Sequence, residues 1–136
     1  MKASDALYFY AIFFAVALIL TGGFVFKRAT PDVSPLWITP QEARNLIDDT
    51  SDVVVIDLSR YFYDSGHLPG ALNYPKCALP GVISSFGKDQ TYIVYCHGTG
   101  APLVSASTLK NAGFKNVFAL QGNYGAWIDA GYPVEN

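Results

Sequence analysis

Apolar residues follow two patterns along this chain. From Leu7 to Phe26, "LYFYAIFFAVALILTGGFVF" carries no charged residue. Beyond Leu36 the apolar residues gather in short clusters separated by glycine, proline and charged residues. A helix over residues 7–26 rises about 30 Å, the thickness of a hydrocarbon core, so the first pattern predicts one membrane-spanning helix in contact with lipid. Tyr8 and Tyr10 lie near one end, where aromatic rings favour the interface, and Lys27 and Arg28 stop the run at the other. Ala11 and Ala15 form a small-xxx-small pair suited to packing against another helix. A cleaved signal peptide is the competing reading. Lys2 would supply its charged start, but "TGGFVFKRAT" offers no clear A-x-A site and the apolar run is long for such a segment. Lys27 and Arg28 outnumber Lys2, which favours a single-pass protein of the cell membrane with its C-terminal part cytoplasmic. The exported arrangement competes.

The second pattern alternates element types. After an anchor at residues 1–28 and a linker at residues 29–35, residues 36–136 have the length of one small domain. "LWI" is a short strand candidate. "TPQEARNLID" predicts a helix with Thr39 as N-cap, Pro40 in first position and Glu42 completing a capping box. The β-branched runs "VVVIDL" (53–58), "TYIVYC" (91–96) and "NVFAL" (116–120) predict buried strands, and "LNYP" a short one. Between them lie a helical turn in "YFYDSGHLPGA" and a short helix in "CALPGVISSFG". "PLVSASTLKNAG" predicts a helix with Pro102 in first position, a stripe of Leu103, Ala106, Leu109 and Lys110, and Gly113 just past its end. "NYGAWIDAG" predicts a last helix. Strands alternating with helices imply an α/β fold, a small mostly parallel sheet covered on both faces.

Composition narrows the function. The 136 residues carry a net charge of -2 and no basic stripe, which argues against nucleic acid as a partner. Cys77 and Cys96 are too few for a disulfide framework and lack metal-ligand spacing, and only His67 and His97 stand beside them. Neither a metal nor a cofactor is expected.

Ligands of parallel sheets bind at the carboxyl ends of the strands. Cys96, Asp57 and Gly122 end or follow three of them. The amides of His97, Gly98, Thr99, Gly100 and Ala101 could curl round the Cys96 sulfur, where the helix dipole starting near Pro102 favours an anion. An inert buried cysteine is the alternative. Asp57 reads as a structural carboxylate holding loop amides or Arg60, with a functional carboxylate as the alternative, and His67 as a brace for the turn before Leu68, with proton chemistry as the alternative. His97 is either a donor to substrate or a solvated loop histidine. Cys77 reads as an inert core position, with a resolving thiol as the alternative.

Three stretches in order resemble the rhodanese-like (sulfurtransferase) family, from Ile38 to Asn136. "VVVIDLSRYFYDSGHLPGALNYP" is similar to its first signature, through Asp57, Gly66, His67, Pro69, Gly70, Ala71 and Asn73. "YIVYCHGTGAP" sits where the active-site loop belongs. "FALQGNYGAWIDAGYPVE" resembles the closing segment through Leu120, Gly122, Ala126, Trp127, Gly131, Tyr132, Pro133 and Val134. The resemblance implies a sulfurtransferase that holds sulfane sulfur on Cys96 as a persulfide, between a sulfur donor and a thiol acceptor. It implies binding of that sulfur by residues 97–101, with Arg60 nearby. The chain departs from the family where members commonly carry arginine two residues after the strand-end aspartate; here Ser59 stands there and Arg60 follows. Many members also have glycine third and a cation fifth after the cysteine, where this chain has Thr99 and Ala101. Related phosphatases need arginine sixth, and Pro102 holds that place. A missing charge-assisted hydrogen bond, about 1.5–3 kcal/mol, predicts poor affinity for thiosulfate rather than a dead nucleophile.

Two functions follow from these features. One is a membrane-tethered sulfurtransferase or persulfide carrier with Cys96 as nucleophile. The other is a non-catalytic rhodanese-like module serving as an accessory or tethering subunit among the subunits of a membrane complex.

Overall fold

The β-branched runs at Val53–Asp57 (β2) and Thr91–Tyr95 (β4) form the middle of a five-stranded sheet. The computed structural model describes residues 36–98 and 100–136. The predicted anchor (1–28), the linker (29–35) and Thr99 lie outside the described residues. Among the described residues no helix is long and apolar enough to cross a membrane.

The flanking strands are β1 (Trp37–Ile38), β3 (Leu72–Asn73) and β5 (Asn116–Leu120). They run in the order β1-β5-β4-β2-β3, with every pair parallel. A parallel pair needs a crossover, which the helices supply. They are α1 (Pro40–Asp49), α2 (Leu79–Val82), α3 (Ala101–Asn111) and α4 (Asn123–Asp129). Three-residue 3₁₀ turns occupy Tyr63–Ser65 and Ile83–Ser85. β2 and β4 each end one residue before the predicted limit, so Leu58 and Cys96 belong to loops.

α1 starts as its sequence dictates. The Glu42 amide donates to Thr39 Oγ1 at 3.3 Å, and the Thr39 amide donates to the Glu42 carboxylate at 2.9 Å. The Thr39 hydroxyl also donates to that carboxylate at 2.7 Å, and this bond, then the one from the Thr39 amide, holds the Glu42 carboxyl below its ordinary range. α3 begins one residue earlier than expected. Gly100 caps it in the left-handed region (φ 88), Ala101 is first and Pro102 second. Its buried stripe is Pro102, Ser105, Ala106 and Leu109, while Leu103 is 37% exposed. Those four positions follow the i, i+3, i+4, i+7 spacing of one helix face; Leu103 falls beside it.

Successive strand residues point to opposite faces, and the core divides accordingly. Ile56, Tyr92 and Val94 join Leu58, Leu79, Ala106 and Leu109 on the side of α2 and α3. Val55, Ile93 and Tyr95 join Ala43, Leu68 and Trp127 on the side of α1 and α4. Burying one such aliphatic side chain is worth about 1.5–3 kcal/mol, so two dry faces hold the strand ends rigidly.

Candidate active site

The parallel register puts Asp57 beside Tyr95 at one edge of the sheet, and the Leu58 amide donates to the Tyr95 carbonyl at 2.8 Å. The Tyr124 amide donates to the Cys96 carbonyl at 3.1 Å. The ends of β2 and β4 and the start of α4 therefore meet at Cys96.

Alternation continues past β4 and separates the two neighbours there. Cys96, partly buried, packs against the core on the α3 side. His97 goes with Tyr95 to the other face. Its Nε2 meets Asp57 Oδ2 at 3.2 Å, and its ring stacks on Tyr124 at 4.0 Å and Phe62 at 5.7 Å between centroids. Asp57 is fully buried. Its second oxygen accepts the Ser59 amide at 2.7 Å, so both oxygens are satisfied. Asp57 holds a loop amide, and neither a hydrogen bond nor an ion pair joins it to Arg60, the other partner considered.

Arg60 turns outward. Its Nη2 donates to Cys77 Sγ at 3.1 Å, and its guanidinium lies 5.8 Å from the Tyr61 ring centre. The neighbouring Tyr61 side chain, then the Cys77 sulfur, holds the Arg60 guanidinium more firmly protonated than usual. Cys77 itself is exposed, which corrects its reading as an inert core position. The apolar residues around it suggested burial, but the turn from Pro75 to Ala78 carries it outward. Instead Leu79, two residues on, fills the core.

His67 is buried in the turn before β3. Its ring stacks on Tyr63 at 3.9 Å and its backbone bridges to Glu135 through bonds of 2.8 and 2.9 Å. His67 Nε2 also lies 3.8 Å from Glu135 Oε2.

The loop after Cys96 is held by a residue that sequence reasoning passed over. Asn123 Nδ2 donates to the Gly98 carbonyl at 2.8 Å, and Asn123 Oδ1 accepts the Cys96 amide at 3.4 Å. Asn123 sits at φ 59, a left-handed conformation that asparagine tolerates better than most residues. "GN" one residue after a buried strand was the available signal. The amides of Gly98, Gly100 and Ala101 meet no acceptor among the described residues. They lie at the start of an eleven-residue helix, whose N-terminus carries about half a positive charge. Free amides at a helix start can hold an anion, and the partly exposed thiol before them can act as a nucleophile. Of the predicted binding set, Gly98, Gly100 and Ala101 lie at this loop, His97 and Arg60 point elsewhere, and Thr99 lies outside the described residues.

A cysteine loop at the C-terminal edge of such a sheet, closed by a helix start, defines a class, and sequence comparison agrees. The Rhodanese-like domain model matches residues 39–130, and the chain belongs to that family. A Synechococcus elongatus relative is 31% identical over 91% of this chain, which spans 44% of that relative's length. The thiosulfate sulfurtransferase GlpE of Stutzerimonas stutzeri is 26% identical over 71% of this chain and 87% of its own. The rhodanese-like domain of the Anabaena sp. Alr3790 protein superposes with a TM-score of 0.68 at 25% identity, over 76% of this chain and 80% of that one.

Proposed function

We propose that this chain is a membrane-anchored sulfurtransferase or persulfide carrier in which Cys96 is the nucleophile. Family membership supports sulfur transfer. The observation that carries the assignment to Cys96 is the set of amides at Gly98, Gly100 and Ala101, beside a helix start, that meet no acceptor among the described residues. The anchor rests on the uncharged run at residues 7–26.

The Cys96 thiolate attacks the outer sulfur of a hydropersulfide, R–S–SH. The S–S bond of the donor breaks, R–S⁻ leaves with the bonding pair, and Cys96 holds the sulfur as a persulfide. A thiol acceptor then attacks that outer sulfur and restores Cys96, a ping-pong sequence. The loop amides stabilise the sulfur anion at each stage. His97 and Arg60 are engaged elsewhere, so the loop offers no side-chain cation to a dianion. A neutral or protein-bound donor suits Cys96 better than free thiosulfate.

The test uses the full-length protein in mild detergent with thiosulfate, mercaptopyruvate and glutathione persulfide in turn. Peptide mass mapping should find one added sulfur on Cys96, absent from Cys96→Ser. No adduct on Cys96 from any donor would leave the non-catalytic tethering role, which the diversion of His97 and Arg60 favours.

A further inference from the structure

Arg60, Lys76 and Cys77 line one open depression of ≈ 400 Å³, floored by Leu58 and Pro75. The depression is built by the backbone. The Lys76 amide donates to the Leu58 carbonyl at 3.3 Å, the Tyr74 amide to the Asp57 carbonyl at 3.0 Å, and the Ala78 amide to the Pro75 carbonyl at 2.7 Å. These bonds fix the turn that presents Cys77 beside the end of β2. The Arg60 guanidinium reaches 17 positions along the chain to within 3.1 Å of Cys77 Sγ. Among the described residues neither Arg60 nor Lys76 forms an ion pair with a carboxylate. Two cations without acidic partners thus flank an exposed thiol above an apolar floor. That combination matches a small dianion with one soft sulfur end and one oxyanion end. Leu58 also belongs to the core cluster against which Cys96 packs.

We propose that Arg60, Lys76 and Cys77 form a second sulfur site, which binds an inorganic sulfur oxyanion of the thiosulfate class and takes its sulfane sulfur onto Cys77. Arg60 and Lys76 hold the sulfonate oxygens. The Cys77 sulfur attacks the outer sulfur of thiosulfate, and its thiol proton passes to solvent. The S–S bond of thiosulfate breaks, sulfite leaves with the bonding pair, and Cys77 is left as a persulfide anion. The cationic charge missing from the Cys96 loop is therefore present at a different thiol. This site goes beyond the assignment of Cys96 and does not depend on it.

The test separates the two thiols by trypsin, which cuts after Lys76, Lys88 and Lys110 and so releases Cys77 and Cys96 on different peptides. The full-length protein in detergent is titrated with thiosulfate, alkylated and mapped by mass. Iodoacetamide, an uncharged reagent, gives the intrinsic reactivity of each thiol in a parallel reaction. The Cys77 peptide should gain one sulfur atom, in Cys96→Ser as well. The ratio of thiosulfate to iodoacetamide rates at Cys77 should fall about ten-fold in Arg60→Gln and again in Lys76→Gln, the scale of one charge-assisted hydrogen bond each. Both side chains are exposed, so the variants retain the fold. No sulfur on Cys77, or an unchanged ratio in both variants, overturns the site. Sulfur on Cys96 alone overturns it while leaving the proposed function standing; sulfur on Cys77 alone supports it, and the Cys96 assignment then falls only if glutathione persulfide also fails to load Cys96.

Discussion

Replacing Asn123 separates the reactivity of the Cys96 loop from the stability of the fold. Asn123→Ala removes the 2.8 Å bond to the Gly98 carbonyl and the longer 3.4 Å contact with the Cys96 amide. The first is worth about 0.5–1.5 kcal/mol net, the second less. Alanine must also adopt φ 59, which costs an ordinary L-residue about 1–2 kcal/mol. The expected loss is about 2–3 kcal/mol, read by urea unfolding followed through the buried Trp127. Asn123→Gly removes the same hydrogen bonds but adopts the backbone angle freely, so its loss should stay near 1 kcal/mol. Both variants free the loop from α4. If the bond at Gly98 positions the amides, each should slow persulfide formation on Cys96 about five-fold, the kinetic equivalent of about 1 kcal/mol. Peptide mapping keeps that rate distinct from any reaction at Cys77. A glycine variant that loads Cys96 at the wild-type rate would refute the positioning role of Asn123. Equal stability losses in the two variants would refute the backbone component.

Three further outcomes follow. Gly122 sits at φ 71, and a Cβ there would lie 2.5 Å from the Ala126 Cβ, so Gly122→Ala should cost at least about 2 kcal/mol in urea and disturb the start of α4. Burial pushes the Tyr95 phenol far above its ordinary range. The unfolded chain then loses that proton near pH 10 while the folded chain keeps it, so stability should fall above about pH 10 by up to about 1.4 kcal/mol per unit. Tyr95→Phe should flatten that alkaline slope but cost about 1–3 kcal/mol at neutral pH, because the buried Leu68 amide, 3.0 Å from the phenol oxygen, loses its acceptor. The protein should remain in the membrane pellet after alkaline carbonate extraction and be released when residues 1–28 are removed; release of the intact chain would count against the anchor.

Local pattern was enough for much of the fold. β-branched runs marked β2, β4 and β5, because strands buried on both faces need apolar residues at every position. Thr39, Pro40 and Glu42 marked the start of α1, because a capping box satisfies its donors within four residues. The convergence of Asp57, Cys96 and Gly122 was legible too, since strands of a parallel sheet end at a common edge. The buried stripe of α3 was not. Leu103 lies about 100° round the helix from Pro102, and only the packed sheet shows which of them faces inward.

The amino-acid sequence by itself determined the α/β alternation, the family and the position of a thiol before a helix start. Those features rest on contacts between near neighbours or on periods that repeat along a strand. Tertiary structure decided which polar groups meet. His97 finds Asp57 across 40 positions, Asn123 reaches Gly98 across 25, and Arg60 reaches Cys77 across 17. Arg60 lies close to Asp57 in sequence, yet Ser59 and His97 already occupy both carboxylate oxygens. A long cation left without that partner turns to the next acceptor that the folded surface offers, and here the surface offers the Cys77 sulfur.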